Sequence, residues 1–235
     1  MKINLNFFIV LIFSWSSLLD VNAQLIIGNL NVPPHFFGAK PSDGHFVKKA
    51  TKVLDASEIS YKIVTLPMER AYRELAEGNI NVWISFKSPR YNEYMLYSNR
   101  ELFELDVSVC SYETEQITLT DLHSKKITVI GGHLMGNLIY YFNNENHNIA
   151  LETVRDGDVL TKMLIMKRTK YIIGYYKTIK YYLDKHNRDT SHNISFNCSS
   201  LKKEPVYMML HKKTVDLDSY IEKINRKFPA FYSTN

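Results

Sequence analysis

Two arginines stand where a guanidinium could meet an anion. Arg70 follows Pro67 in Leu66-Pro67-Met68-Glu69-Arg70-Ala71, and Arg90 follows Ser88-Pro89. A guanidinium matches a carboxylate with two parallel hydrogen bonds, and a helix start offers backbone N–H groups to the same anion. Each has a plainer reading. Arg70 has Glu74 one turn on, a surface pair worth about 0.2–0.5 kcal/mol, and Arg90 can be an exposed helix-end cation. His133 stands behind Gly131-Gly132, where its ring either donates to an anion beside backbone N–H groups or faces solvent. Phe36, Phe37 and Trp83 either stack on a ligand ring or pack in the core. Phe36 follows the Pro33-Pro34 loop rather than lying inside a strand. No catalytic constellation emerges: G-x-S-x-G, H-E-x-x-H and C-x-x-C are all missing. The eight histidines lack metal-ligand spacing. Neither a catalytic residue set nor a cofactor or metal site is expected from these residues.

The elements that must position these residues alternate. Leu25-Ile26-Ile27-Gly28 is a short buried-strand run ending in a turn signal, and Phe46, Ala50, Val53 and Leu54 then recur at helical spacing. Tyr61 to Val64 is the next strand. After it, Pro67 suits a first helical turn. Met68, Ala71, Tyr72 and Leu75 form one apolar stripe, and Gly78 stands where a helix stops. Further strands are expected at Val82–Ile84, Val107–Cys110, Ile127–Ile130, Tyr171–Ile173 and Val206–Leu210. Helices run through Leu134, Leu138 and Tyr141, from Asp156 and Asp158 through Leu164, over a Tyr- and Lys-rich stretch, and from Leu217 to Phe228. Alternating β and α units imply parallel sheets covered by helices. Ligands in such folds sit outside the carboxyl ends of the strands.

The chain has 235 residues, 45% of them hydrophobic, enough for one large domain or two lobes. Residues 1–23 read as a signal peptide: Lys2, an apolar run from Phe7 to Phe13, and Val21-Asn22-Ala23 as cleavage site. The apolar run is too short for a bilayer-spanning helix, and no cysteine follows for lipid attachment, so a periplasmic location is expected. Removing residues 1–23 takes away one cation, Lys2, and one anion, Asp20, and leaves the net charge of +5 unchanged. The basic residues are scattered pairs rather than a stripe interleaved with aromatics, which argues against nucleic acid. In an oxidising compartment Cys110 and Cys198 either pair or stay free.

The order of these segments resembles the bacterial extracellular solute-binding proteins of family 3. Asn31-Val32-Pro33-Pro34-His35-Phe36 is similar to the family's early ligand loop. Leu66-Pro67-Met68-Glu69-Arg70-Ala71, with Leu75 and Gly78, resembles its "PW-x-R-A … L … G" helix. Ser88-Pro89 with Tyr97-Ser98 resembles "T-P-E-R … F-S". Leu119-Thr120-Asp121-Leu122, with Lys126, Ile127, Val129 and Gly132, resembles "L-x-D-L-x-G-K-x-V-G-V-x-x-G-S".

The resemblance implies an α/β, two-lobed periplasmic-binding-protein-like fold of type II with a hinge of two crossing strands. Lobe one is expected at 24–106 plus 207–235 and lobe two at 107–206. The implied function is capture of a small ligand between the lobes by hinge closure, for an ABC-type transporter or a membrane sensor, by a monomer. The implied ligand site comprises Phe36, Arg70, Trp83, Ser88, Arg90, Gly132, His133 and Tyr175. The chain departs from the family at four places: Asn81 stands where the family usually has Asp after the helix-ending glycine; Tyr91 falls where the carboxylate-clamping arginine stands, with Arg90 one residue early and brought to that position only by a one-residue gap; Gly174-Tyr175 replaces an acid that meets the ligand ammonium; and His133 replaces a small hydroxyl residue. The ligand is therefore expected to be neutral or anionic. The alternatives are a periplasmic lyase of the prephenate or arogenate dehydratase type on the same scaffold, or a degenerate homologue that contacts another protein.

Overall fold

In the computed structural model, the structure describes residues 24–113, 115–131, 138–190 and 194–233. The expected signal peptide, Gly132 and His133 lie outside them. The elements are β1 (Leu25–Asn29), α1 (His45–Ala56), β2 (Tyr61–Thr65), α2 (Met68–Glu77), β3 (Val82–Ser85), β4 (Met95–Tyr97), β5 (Phe103–Ser111), β6 (Lys126–Ile130), α3 (Leu138–Phe142), β7 (Ala150–Val154), α4 (Gly157–Ile165), β8 (Ile172–Tyr175), α5 (Tyr176–Thr190), β9 (Asn197–His211) and α6 (Leu217–Lys227).

The strands lie in the order β2-β1-β3-β9-β5-β8-β6-β7, and β4 also pairs with β9. At one end β1 runs parallel to β2 and β3, and at the other β6 runs parallel to β7 and β8. Between them β5 and β9 pair antiparallel from Phe103↔Val206 to Ser111↔Asn197, with a register shift at Val107/Ser108. The carboxyl end of β9 then pairs with β3 and β4. The result is two α/β lobes joined by two long crossing strands, as expected from the resemblance.

Local sequence explains most elements. In α2, Ala71, Tyr72 and Leu75 are buried while Glu69, Arg73 and Glu77 are exposed. Gly78 takes φ 91°, where its N–H reaches the carbonyls of Glu74 and Leu75. A left-handed residue there satisfies carbonyls the helix end leaves open. At the start of α4, Asp156 Oδ1 accepts from Val159 N at 2.9 Å, a side-chain cap that stabilises by about 1 kcal/mol.

Three strands exceed the expectation. β4 and β7 carry weak patterns, and β9 begins nine residues before Val206. The early part of β9, with Lys202, Lys203 and Glu204, is held by its neighbour. Cys198 lies opposite Cys110 of β5 and the two are bridged, with an S–S distance of 2.02 Å. Glu204 is 4% exposed and pairs with Lys202 at 2.8 Å.

Candidate functional site

A cleft of about 480 Å3 opens between the lobes. From lobe one it is lined by the segments that follow β1 (Leu30, Asn31, Val32, then Gly38 and Ala39) and by the end of β2 with the start of α2 (Thr65 to Met68). From lobe two come Ile130 at the end of β6, Arg155 and Asp156 between β7 and α4, Gly157 at the start of α4, and Tyr182 of α5. Every strand that contributes does so at its carboxyl end, the position dictated by parallel α/β sheets.

The polar atoms of this lining are partly committed. Asn31 Oδ1 accepts from Gly38 N at 3.2 Å, and Thr65 Oγ1 accepts from Asn29 Nδ2 at 2.8 Å. Asp156 caps α4 through Oδ1 and meets Arg155 Nε through Oδ2 at 3.0 Å. The only carboxylate of the described lining is thus spent on a helix start and a guanidinium. Behind it, burial raises the Asp158 pKa, but Lys162 at 2.7 Å, with His186 and Lys185, outweighs burial and holds it below the ordinary carboxylate value. The Tyr182 phenol is pushed up to about 12 by burial and by Asp156, Tyr181 and Asp158. It remains a neutral hydroxyl at the cleft wall at neutral pH. The rest of the wall is aliphatic: Leu30, Val32, Ala39, Leu66, Met68 and Ile130.

The inner end of the cleft is different. Phe36, Trp83 and Tyr175 gather there with His35, Phe46, Tyr72 and Phe86 around a void of only about 30 Å3. Phe36 lies 4.6 Å from Phe46, and Trp83 lies 6.1 Å from Tyr72. Gly28 makes room for the indole, since a Cβ there would come within 2.7 Å of it. Burial pushes the Tyr175 phenol far above its usual pKa, with smaller contributions from Tyr72 and Glu204.

The structure separates the residues singled out from the sequence. Phe36, Trp83 and Tyr175 come together, packed as core. Arg90 reaches their rim, its guanidinium 3.9 Å over the Tyr72 ring. Ser88 accepts from Arg90 N at 3.4 Å and exchanges two backbone hydrogen bonds with the Tyr97 hydroxyl. Arg70 stands apart: its side chain is 59% exposed and meets Glu74 at 3.4 Å, the surface pairing open to it in the sequence. Sequence reasoning did not single out Thr65, Arg155, Asp156 and Tyr182 as site residues. The first three could have been found by reading the residues at and just after each parallel strand's carboxyl end.

The fold is that of the two-lobed periplasmic binding proteins. Holo ArgBP from T. maritima matches with a TM-score of 0.65 at 17% identity, over 88% of this chain and 90% of that one. The GluR0 ligand-binding core in complex with L-glutamate gives 0.65 at 15% identity, over 86% and 91%. The VFT2 domain of Bordetella pertussis BvgS gives 0.67 at 10% identity, over 92% and 91%. No family model matches the sequence, and a comparison with curated proteins returns no match.

Proposed function

We propose that this chain is an exported, periplasmic solute-binding protein that captures a small ligand between two lobes, 24–106 plus 207–235 and 107–206. It does no chemistry on the ligand and hands it to a membrane permease or presents it to a sensor. The observation that carries this reading is the cleft of about 480 Å3 at the carboxyl ends of parallel strands in both lobes. The scale is that of small-molecule pockets. Solved proteins of the same fold hold arginine or L-glutamate, but a shared fold does not fix the ligand. Here the aliphatic wall and the neutralised Asp156 favour a neutral or anionic solute with an apolar body over a basic amino acid.

The test is a thermal-shift screen of neutral, acidic and basic small metabolites, followed by chemical recovery of whatever binds. An unchanged neutral or anionic compound supports the reading. Recovery of a converted product refutes it, and tight binding of arginine or lysine refutes the ligand assignment.

A further inference from the structure

The lobes meet at the inner end of the cleft through aromatic rings. Tyr175 ends β8 in lobe two. Its ring lies 5.6 Å from His35 in an edge-on arrangement and 5.9 Å from Phe86, both of lobe one. These three side chains are 8%, 1% and 3% exposed. Farther along the same gap, Phe37 of lobe one meets Tyr181 of α5 at 6.0 Å. One hydrophobic cluster has members in both lobes and includes Tyr175, beside residues of the crossing strands such as Leu105, Val107 and Val206.

Leu30 and Val32 line both the open outer cleft and the small inner void. The two are one cleft whose inner end is stopped. The residual void of about 30 Å3 has room for water but not for a ring-sized solute beside Tyr175. The walls suit a ring: edge-on and tilted contacts at these centroid separations are the geometry aromatic pairs prefer.

We propose that the inner end of the cleft is a binding site for a neutral, phenol-sized aromatic ring, and that the chain fills it with its own Tyr175, latching the lobes closed without ligand. This rests on reading the two lobes as a hinged pair. It changes what a ligand does. A solute in the outer cleft meets a protein already closed, and the inner site opens to outside molecules only when the Tyr175 ring withdraws. Burial keeps the Tyr175 hydroxyl protonated, so the matching guest is a neutral phenol rather than a phenolate.

The experiment uses the processed chain, the variant Tyr175→Ala, and p-cresol, the tyrosine side chain as a free molecule. The wild type should scatter as a compact particle with a radius of gyration of about 17 Å, the value for a chain of this length, and p-cresol should leave its radius and melting midpoint unmoved. Tyr175→Ala should have a larger radius and a lower midpoint, and p-cresol should reverse both. The saturated analogue 4-methylcyclohexanol should reverse them less. Phe86→Ala opens the same contact from lobe one and serves if Tyr175→Ala does not fold; p-cresol should raise its midpoint too. A wild-type radius in Tyr175→Ala, or no response to p-cresol in either variant, overturns the proposal. Solute capture is read separately in the wild-type screen. If that screen fails while p-cresol rescues the variants, the latch stands and the capture reading falls; the opposite pair of results does the reverse.

Discussion

Breaking the Cys110–Cys198 bridge offers the clearest quantitative test of how this fold is held. The bridged residues are 88 apart in sequence. On the chain-entropy account, closing a loop of that size stabilises by about 4.6 kcal/mol at 298 K. For a chain of this size each kcal/mol moves the melting midpoint by about 2–4 °C, so reduction should lower it by roughly 9–18 °C. Circular dichroism melts with and without reductant measure this directly. Reduced wild type keeps both sulfurs in place, whereas a Cys110→Ala, Cys198→Ala double variant also leaves space beside Ile130, Leu160 and Ile172, which pack with Cys110. The double variant should therefore melt below the reduced protein by a further small step. The bridged segment contains β6, β7, β8 and the helices between them. Hydrogen exchange should accordingly quicken more in β6 and β8 than in β1 and β2. A reduced wild type that melts within about 3 °C of the oxidised protein, the equivalent of roughly 1 kcal/mol, would falsify the loop argument.

Other perturbations discriminate as sharply. Gly157→Ala places a Cβ 2.6 Å from the Tyr182 ring. It should cost about 1–3 kcal/mol as overpacking in urea titration and weaken any ligand of the outer cleft. Arg70→Ala removes an exposed pair and should change stability by less than about 1 kcal/mol, with ligand affinity in calorimetry unchanged. Arg90 is exposed, and Arg90→Ala loses the contact over Tyr72, which should cost about 0.5–1 kcal/mol in urea titration. Asp158 has a folded pKa below its ordinary value. Its stabilising contribution is therefore present above the unfolded pKa near 3.8 and lost as pH falls through the folded one. Asp158→Asn should destabilise at pH 7, and the gap to wild type in urea melts should close in the acid range. A constant gap down to pH 3 speaks against the ion-pair account.

How much of this could be read beforehand varies by element, for physical reasons. The helix α2 was legible from end to end, because its start, apolar stripe and stop are all local signals. The early half of β9 was not. Lys202, Lys203 and Glu204 have no strand pattern of their own; the extended form comes from pairing with β5 and from the Cys110 bridge, contacts across about 90 residues. The aromatic residues were identified as a group but with two possible roles, and types alone cannot separate a ligand's stacking partner from core. The structure buries Phe36, Trp83 and Tyr175 together around the inner void, a grouping that no local sequence signal carries. The outer cleft was legible by rule rather than by residue. Parallel strands point to their carboxyl ends, yet Thr65, Asp156 and Tyr182 are ordinary residues that only position makes notable.

The shared strand β9 has a consequence for the order in which the chain can be completed. Lobe two lies between the two crossings and has all its strands once the first half of β9 has emerged. Lobe one is left with β3 as a bare edge until the last part of β9 arrives and pairs Ser85 to Val82 with Tyr207 to Leu210. A chain delivered from its N-terminus through a membrane pore would expose that edge, its first-made lobe, for nearly the whole passage. Open edges invite pairing with other chains. The final thirty or so residues therefore act as a seal on the oldest part of the molecule, and a nascent chain stalled before Tyr207 should be prone to aggregate even though its second lobe is whole.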